Sequence, residues 1–311
     1  MLGSDVASSG NNARHERLLS ARDRLAALLS RWRARHPAAA LERVERFVPV
    51  IQGLAPPGDD PPGQRPELLR FPGLSARPWY ENDRFPWIEP LERRWRETRA
   101  ELDALLARPG SFATFVDGEG AEYREEKFGL RDRRDAWTVF DLLSPDGVRC
   151  CPRTAAVVEQ LIGEVFLAQF SRLLPGTHLP AHCGLVNYQL TLHLGVLIPP
   201  GCTIRVGSET RTWTEGRCLV FDDSFEHAVW HRGEGDRVVL LVRFPHPDLT
   251  AVEIDALADI EENVGALLGD TAAARKASLQ DLRLLPCQSD NIRTRRTAWP
   301  LKTKTTTSTG S

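Results

Sequence analysis

Histidine is concentrated in one part of this sequence. Six of its eight histidines lie between residues 178 and 246, namely His178, His182, His193, His227, His231 and His246. Imidazole binds transition metals and exchanges protons near neutral pH, although a single histidine in a strand more often has a structural role. Several histidines at defined positions in one β-rich region therefore indicate a candidate metal site.

The spacing of His182 and His227 suggests iron chemistry. A jelly-roll site for Fe(II) takes a His-x-Asp/Glu motif from one strand and a second histidine from a later strand, which leaves positions open for a cosubstrate and oxygen. His182 follows a Pro-Gly-Thr-His turn, as the first ligand would, but Gly184 occupies the carboxylate position. The spacing alone leaves the iron hypothesis open.

The histidines must be held by strands. Residues 186–199 alternate between apolar and polar side chains, with Thr191 and His193 on the polar face. Asp222 and Asp223 precede the strand of His227, where closing a turn is a simpler role than orienting a ligand histidine. Six or seven short strands with turn signals between them predict a sandwich or barrel-like double sheet.

Helical patterns flank this β region, so the fold class is mainly β with flanking helices. Pro37 separates two helices near the start. The predicted divisions are an N-terminal helical segment (1–52), a Pro/Gly-rich linker (53–70), the main domain (71–249), a C-terminal helical segment (250–285) and a disordered tail (286–311). Within the main domain, the patterns predict strands over 112–116, 123–128 and 137–143 and a helix over 152–163.

Composition excludes several classes of function. The 311 residues carry a net charge near −2, which gives no electrostatic basis for binding nucleic acid. No stretch approaches the roughly 18 apolar residues of a membrane span, and no secretory signal is visible, so we expect a cytoplasmic protein with no membrane partner. The six cysteines form no CxxC pair, which argues against a disulfide framework or a structural zinc site.

Long motifs of this sequence resemble the aspartyl/asparaginyl β-hydroxylase family of Fe(II)- and 2-oxoglutarate-dependent oxygenases. The resemblance is dense from Pro175 onward, in PGTHLPAHCG, HLGVLIPPGCTIRVGSETRTWTEGRCLVFDDSFEHAVW and PHPDL, and weaker from Phe71 to that point. It implies a double-stranded β-helix core, that is, a jelly-roll or cupin-like fold.

The resemblance also implies roles for individual residues. His182 and His227 match the two iron ligands, and in this family glycine stands at the missing carboxylate position. His193 matches a histidine that contacts 2-oxoglutarate. The remaining cosubstrate residues are Arg237 for the distal carboxylate, Ser171 near that carboxylate and Trp137 in the pocket wall.

One position departs from the family pattern. Relatives often carry an arginine two residues before the histidine of the HLG motif, whereas this chain has Thr191. Thr191 should still point into the pocket, but one cationic contact is expected to be lost.

The expected activity is hydroxylation of the β-carbon of an aspartyl or asparaginyl unit, with Fe(II), 2-oxoglutarate and O2. The unit could be a free amino acid, a carrier-bound aminoacyl group or part of a peptide, in a bacterial biosynthetic pathway. Alternatives are an acyl-chain hydroxylase, against which the absence of a membrane anchor speaks, and a non-catalytic binding module, for which Thr191 is the only support. A cupin-like metal protein without 2-oxoglutarate is disfavoured by Arg237 and His193.

Overall fold

A computed structural model describes residues 23–52, 54–55, 58, 61–117, 121–163 and 165–268, apart from the side chains of 263–268. The predictions for the first 22 residues, for residues 269–285 and for the tail at 286–311 lie outside these ranges. The domain divisions stay predictions.

Strands from two antiparallel sheets build the core. In chain order they are β1 (Trp79–Tyr80), β2 (Ala113–Thr114), β3 (Trp137–Asp141), β4 (Leu167–Leu173), β5 (His178–His182), β6 (Gln189–Leu197), β7 (Cys202–Val206), β8 (Glu209–Thr212), β9 (Cys218–Phe221), β10 (His227–His231) and β11 (Arg237–Pro245). The larger sheet has the order β1-β9-β6-β11-β4-β3-β2, and the smaller sheet has the order β5-β10-β7-β8. From β4 to β11 the chain crosses repeatedly between the sheets, which is the jelly-roll arrangement. The predicted fold class is confirmed.

The central strands of the larger sheet are buried on both faces. Leu192 on β6 and Leu240 on β11 pack under helices, whereas His193 and Leu241 face the smaller sheet. Because side chains alternate along a strand, one face of each strand can pack against helices while the other lines a cavity. Fully burying one such leucine contributes about 1.5–3 kcal/mol to the free energy of folding. The helix-covered face therefore stabilises the strands whose other face lines the cavity.

Helices cover this sheet and close one end of the molecule. They are α1 (residues 23–35), α2 (Ala38–Ile51), α3 (Ile88–Arg93), α4 (Trp95–Leu106), α5 (Ala121–Lys127), α6 (Pro145–Cys150), α7 (Pro152–Ile162) and α8 (Ala251–Leu268), with short 3₁₀ turns at Asn82–Arg84 and Arg134–Ala136. Helices α3, α4 and α7 pack on the outer face of the larger sheet. No described helix combines the length and apolar character needed to cross a membrane.

The N-terminal helices pack against the C-terminal helix rather than standing apart. Trp32 and Phe47 share an apolar cluster with Leu257 of α8. Arg43 forms an ion pair with Glu253 at 2.5 Å, and its Nη2 donates to the carbonyl of Asp248 at 2.7 Å. Helix α1 ends before Pro37 and α2 begins after it, which confirms the predicted break.

The strand predicted over residues 123–128 is wrong, because this segment forms most of α5. Its sequence AEYREEKF is rich in Ala, Glu, Arg and Lys, which favour helix over strand. Arg124 and Phe128 are buried on the same side, four residues apart, as a helix requires. The predicted strand at 137–143 and helix at 152–163 are confirmed as β3 and α7.

Candidate active site

His182 and His227 lie side by side in the smaller sheet. They are directly paired between β5 and β10, and their ring centroids are 4.1 Å apart. The Nδ1 atom of His182 lies 2.7 Å from the carbonyl of Pro180, and that of His227 lies 2.9 Å from the carbonyl of Phe225. These carbonyls fix Nδ1–H on both rings and leave both Nε2 atoms with lone pairs available for one metal ion.

Both rings are held in the neutral form, which is the form that binds metals. Burial lowers the pKa of His182 well below its ordinary value, and the nearby His227 lowers it further. Burial also lowers the pKa of His227, although the carboxylate of Asp223 acts in the opposite direction. The pair therefore does not need to lose protons before a cation binds at neutral pH.

Asp223 occupies the space that a carboxylate at position 184 would fill. A Cβ atom added to Gly184 would overlap with Oδ1 of Asp223. This Oδ1 is buried and has no hydrogen-bond partner in the described part of the chain. The predicted turn is confirmed, because the backbone N–H of Phe225 donates to the carbonyl of Asp222 at 3.2 Å and Asp223 lies within this turn. The Oδ1 of Asp222 also accepts from the backbone of Ser224 at 2.9 Å, whereas the carboxylate of Asp223 faces Gly184.

Among the described residues, the histidine pair is the candidate set of ligands for a metal ion. Within the described ranges, no group of three or more His, Cys, Asp or Glu side chains is arranged to hold a metal ion. Asp223 instead offers a free oxygen beside the pair, where it could accept a hydrogen bond from a metal-bound water.

His193 presents a hydrogen-bond donor to the same space. The Nε1–H of Trp213 donates to Nδ1 of His193 at 3.2 Å, so the neutral ring carries its proton on Nε2. Burial lowers the pKa of His193 well below its ordinary value, and the charge of Arg237 lowers it further. In the sequence, Trp213 stands out only as part of the family motif. Its contact with His193, which orients that ring, comes from packing that the sequence does not show.

Arg237 is a buried cation that has no ionic partner in the described part of the chain. It is 2% exposed, its guanidinium carbon lies 4.3 Å from the ring centre of Trp213, and its Nη1 donates to the carbonyl of Ser171 at 3.4 Å. Its Nε has no hydrogen-bond partner, and no carboxylate of the described residues forms an ion pair with it. Burial lowers its pKa to about 10. An arginine in this state is suited to binding an anion that enters the cavity.

Trp137 and Ser171 complete the wall near Arg237. The Nε1–H of Trp137 donates to the hydroxyl of Ser171 at 3.0 Å, and the indole stacks on Phe115 at 3.7 Å. This bond leaves the proton of the Ser171 hydroxyl free to be donated to a ligand.

A single cavity of about 530 Å³ between the two sheets joins these groups. All six residues predicted from the sequence line it: Trp137, Ser171, His182, His193, His227 and Arg237. It is also lined by Lys127, Asp223 and Arg243, to which sequence reasoning had assigned no cavity role. The neutral histidine pair and the unpaired Arg237 together suit a metal ion and a dianion.

Comparison with known proteins agrees with this geometry. The family model for aspartyl/asparaginyl β-hydroxylase matches residues 92–247, which is half of the chain and includes all the strands from β2 to β11. The chain belongs to this family. The β-hydroxylase match therefore covers every predicted site residue.

The relatives that match this chain carry different names. An ornithine lipid ester-linked acyl 2-hydroxylase of Rhizobium tropici is 37% identical over 187 residues, covering 58% of this chain and 64% of that protein. The aspartate beta-hydroxylase domain-containing protein 2 of Rattus norvegicus is 35% identical over 208 residues, covering 62% and 58%. The aspartyl/asparaginyl beta-hydroxylase of Mus musculus is 34% identical over 199 residues, covering 59% and 25%. The matched region is thus between a quarter and two thirds of each relative.

Proposed function

We propose that this β-hydroxylase family member is an Fe(II)- and 2-oxoglutarate-dependent hydroxylase that acts on a carbon next to a carboxyl or carbonyl group. The observation that carries the proposal is the buried, unpaired guanidinium of Arg237 in the same cavity as two neutral, metal-competent histidines. Fe(II) and 2-oxoglutarate bound there would activate O2 for hydroxylation.

Each residue of the chain has a distinct task in this proposal. His182 and His227 would hold the metal through Nε2, and Asp223 would orient a water beside it. Arg237 and the Ser171 hydroxyl bind the distal carboxylate of the cosubstrate, and Nε2–H of His193 donates to it as well. Apolar side chains such as Leu241 and Ile204 exclude water from the cavity and so strengthen these charge-assisted contacts.

The names of the relatives point to one common reaction. The β-carbon of an aspartyl unit is bonded to its side-chain carboxyl carbon, and carbon 2 of an acyl ester is bonded to the ester carbonyl carbon. Hydroxylation in both cases occurs next to a carbonyl carbon. We propose an aspartyl or asparaginyl unit as the substrate of this chain. The site must then recognise the carbonyl group, so that the carbon next to it is the one that is hydroxylated.

An acyl chain is the second candidate because apolar side chains contribute to the open end of the cavity. Leu143, which is 45% exposed, lies there with Phe166 and Leu167. Such a surface suits a hydrocarbon better than the polar backbone of a peptide. The lipid-modifying R. tropici relative favours the same alternative.

Turnover with both substrate classes tests the proposal. Purified protein is incubated with Fe(II), 2-oxoglutarate and, separately, a panel of aspartyl peptides and a panel of acyl ornithine lipids. We expect succinate and a product 16 Da heavier from one panel, and neither from His182→Ala. A non-catalytic module would show no succinate with any substrate and no visible absorption band when Fe(II) and 2-oxoglutarate are added without oxygen, and this pair of results would refute the proposal.

A further inference from the structure

Arg243 brings a second guanidinium into the cavity, far from the first. Arg237 and Arg243 lie on the same face of β11, at opposite ends, so their Cα atoms are about 20 Å apart at the usual rise of a strand. Leu241, between them, is paired with His193 on β6. The two cations therefore lie on either side of the level at which His193 enters the cavity.

The two arginines differ in depth. Arg237 is 2% exposed, whereas the side chain of Arg243 is 23% exposed. The backbone carbonyl of Arg243 accepts from the backbone N–H of Phe166, which belongs to the apolar open end. A molecule entering from solvent thus reaches Arg243 before it reaches Arg237.

Arg243 is anchored but not saturated. Its Nη2 lies 3.3 Å from Oδ2 of Asp223, the oxygen that also accepts from the Thr191 hydroxyl at 3.2 Å. Its Nε is buried and has no hydrogen-bond partner in the described ranges. A guanidinium carries five N–H donors, so one anchored side leaves donors for a ligand oxygen.

Arg243 lies next to the position at which the sequence departs from the family pattern. Thr191 was expected to cost the pocket a cationic contact, but Arg243 is directly paired with Thr191 across β6 and β11. Thr191 and Arg243 both contact Oδ2 of Asp223, so the guanidinium lies close to the threonine side chain. The cation is present, supplied by the neighbouring strand.

We infer that Arg243 is a specificity-determining residue that binds a carboxylate or carbonyl oxygen of the substrate and so determines which carbon faces the metal site. The inference rests on the proposed function in one respect, that Arg237 serves the cosubstrate. Asp223 connects the two regions, since its Oδ2 holds Arg243 while its Oδ1 lies against Gly184 beside the histidine pair. A substrate oxygen bound by Arg243 would therefore be separated from the histidine pair by the side chain of Asp223.

The test measures binding to the metal-free, full-length protein, so it does not depend on turnover. The probes are N-acetyl-L-aspartate amide, which supplies a carboxylate, methyl hexanoate, which supplies an ester carbonyl, and 2-oxoglutarate. Each is titrated by ligand-observed NMR against wild type and Arg243→Met. We expect Arg243→Met to weaken the preferred substrate probe at least about tenfold, equivalent to about 1.4 kcal/mol, and to change the 2-oxoglutarate affinity less than twofold.

Further variants separate recognition from folding. Arg172→Met is the matched control, because Arg172 lies on β4 of the same sheet and pairs with Asp236 outside the cavity; it should bind all probes as wild type does. The exchange Thr191→Arg with Arg243→Thr returns a guanidinium from β6 and should recover most of the lost affinity. Arg243→Lys keeps the charge without the fork and should lie between wild type and Arg243→Met, which preserves the test if the methionine variant does not fold.

The outcomes are decisive in both directions. Loss of only the aspartate probe identifies a carboxylate as the bound group, and loss of only methyl hexanoate identifies an ester carbonyl. Equal binding by wild type and Arg243→Met, absence of binding by either substrate probe to wild type, or an equal loss of 2-oxoglutarate affinity would overturn the inference. Failure of wild type to bind 2-oxoglutarate would instead refute the proposed function and leave the substrate-probe result as it stands.

Discussion

Replacing Arg237 with methionine is expected to stabilise the protein without cosubstrate and to abolish its response to 2-oxoglutarate. The guanidinium is buried, its Nε has no partner, and no described carboxylate neutralises it. Methionine keeps an unbranched apolar stem against Trp213 and removes the charge. Residues that bind a ligand often lower the stability of the unliganded protein, which is a common trade-off between stability and function.

The magnitude follows from the pKa of Arg237. Burial lowers this pKa to about 10, well below the pKa of an arginine in an unfolded chain. At about 1.36 kcal/mol per tenfold change, the charged form is disfavoured in the folded state by about 3 kcal/mol. Because the folded pKa of this cation is the lower one, the full cost is present below pH 10 and disappears as the pH rises through the pKa of the unfolded chain.

Part of this gain is lost with the cation–π contact. Arg237 lies 4.3 Å from the ring centre of Trp213, a contact worth about 0.5–2 kcal/mol. The net stabilisation of Arg237→Met at pH 7 is therefore about 1–2.5 kcal/mol. At about 2–4 °C per kcal/mol for larger domains, the melting temperature should rise by about 2–10 °C.

Thermal unfolding of the metal-free protein, with and without 2-oxoglutarate, is the assay. Wild type should gain about 2.7 kcal/mol at a 2-oxoglutarate concentration one hundred times its Kd, whereas the variant should gain nothing at that concentration. A variant that melts below wild type would refute the claim that the cation is uncompensated. An unchanged gain from 2-oxoglutarate would show that Arg237 does not bind the cosubstrate.

Three further predictions follow from the site. Burial lowers the pKa of His182 and His227, so Mn²⁺ affinity measured by calorimetry should fall less than threefold between pH 7.5 and 6. Two histidines of ordinary pKa would lose about tenfold or more in affinity over this range, and such a loss would contradict the prediction. Gly184→Ala should lower the free energy of unfolding in urea by about 1–3 kcal/mol, because the new methyl group meets Asp223, and a wild-type midpoint would show that the carboxylate moves freely. Trp213→Phe keeps an aromatic ring beside Arg237 but removes the N–H that fixes the proton of His193. The Kd of 2-oxoglutarate should therefore rise about fivefold, and an unchanged Kd would mean that His193 keeps its orientation without this bond.

Much of the fold and site could be predicted from local pattern. The alternation along residues 186–199 placed Thr191 and His193 on one face of a strand, and both line the cavity. The turn at Gly207 was also predictable, since its φ of 59° is one that glycine adopts readily. The strand predicted at 123–128 is wrong because the Glu, Arg and Lys residues between Tyr123 and Phe128 favour a helix.

What the sequence determined by itself was therefore local: the strand period, the faces and the motif histidines. The tertiary structure decided which distant residues meet. Asp223 lies against Gly184, Trp213 holds His193, and Arg243 lies opposite Thr191. These contacts depend on the order and register of strands that are far apart in the chain. The alternation of side chains along a strand shows which face a residue is on, but not which neighbour it meets there.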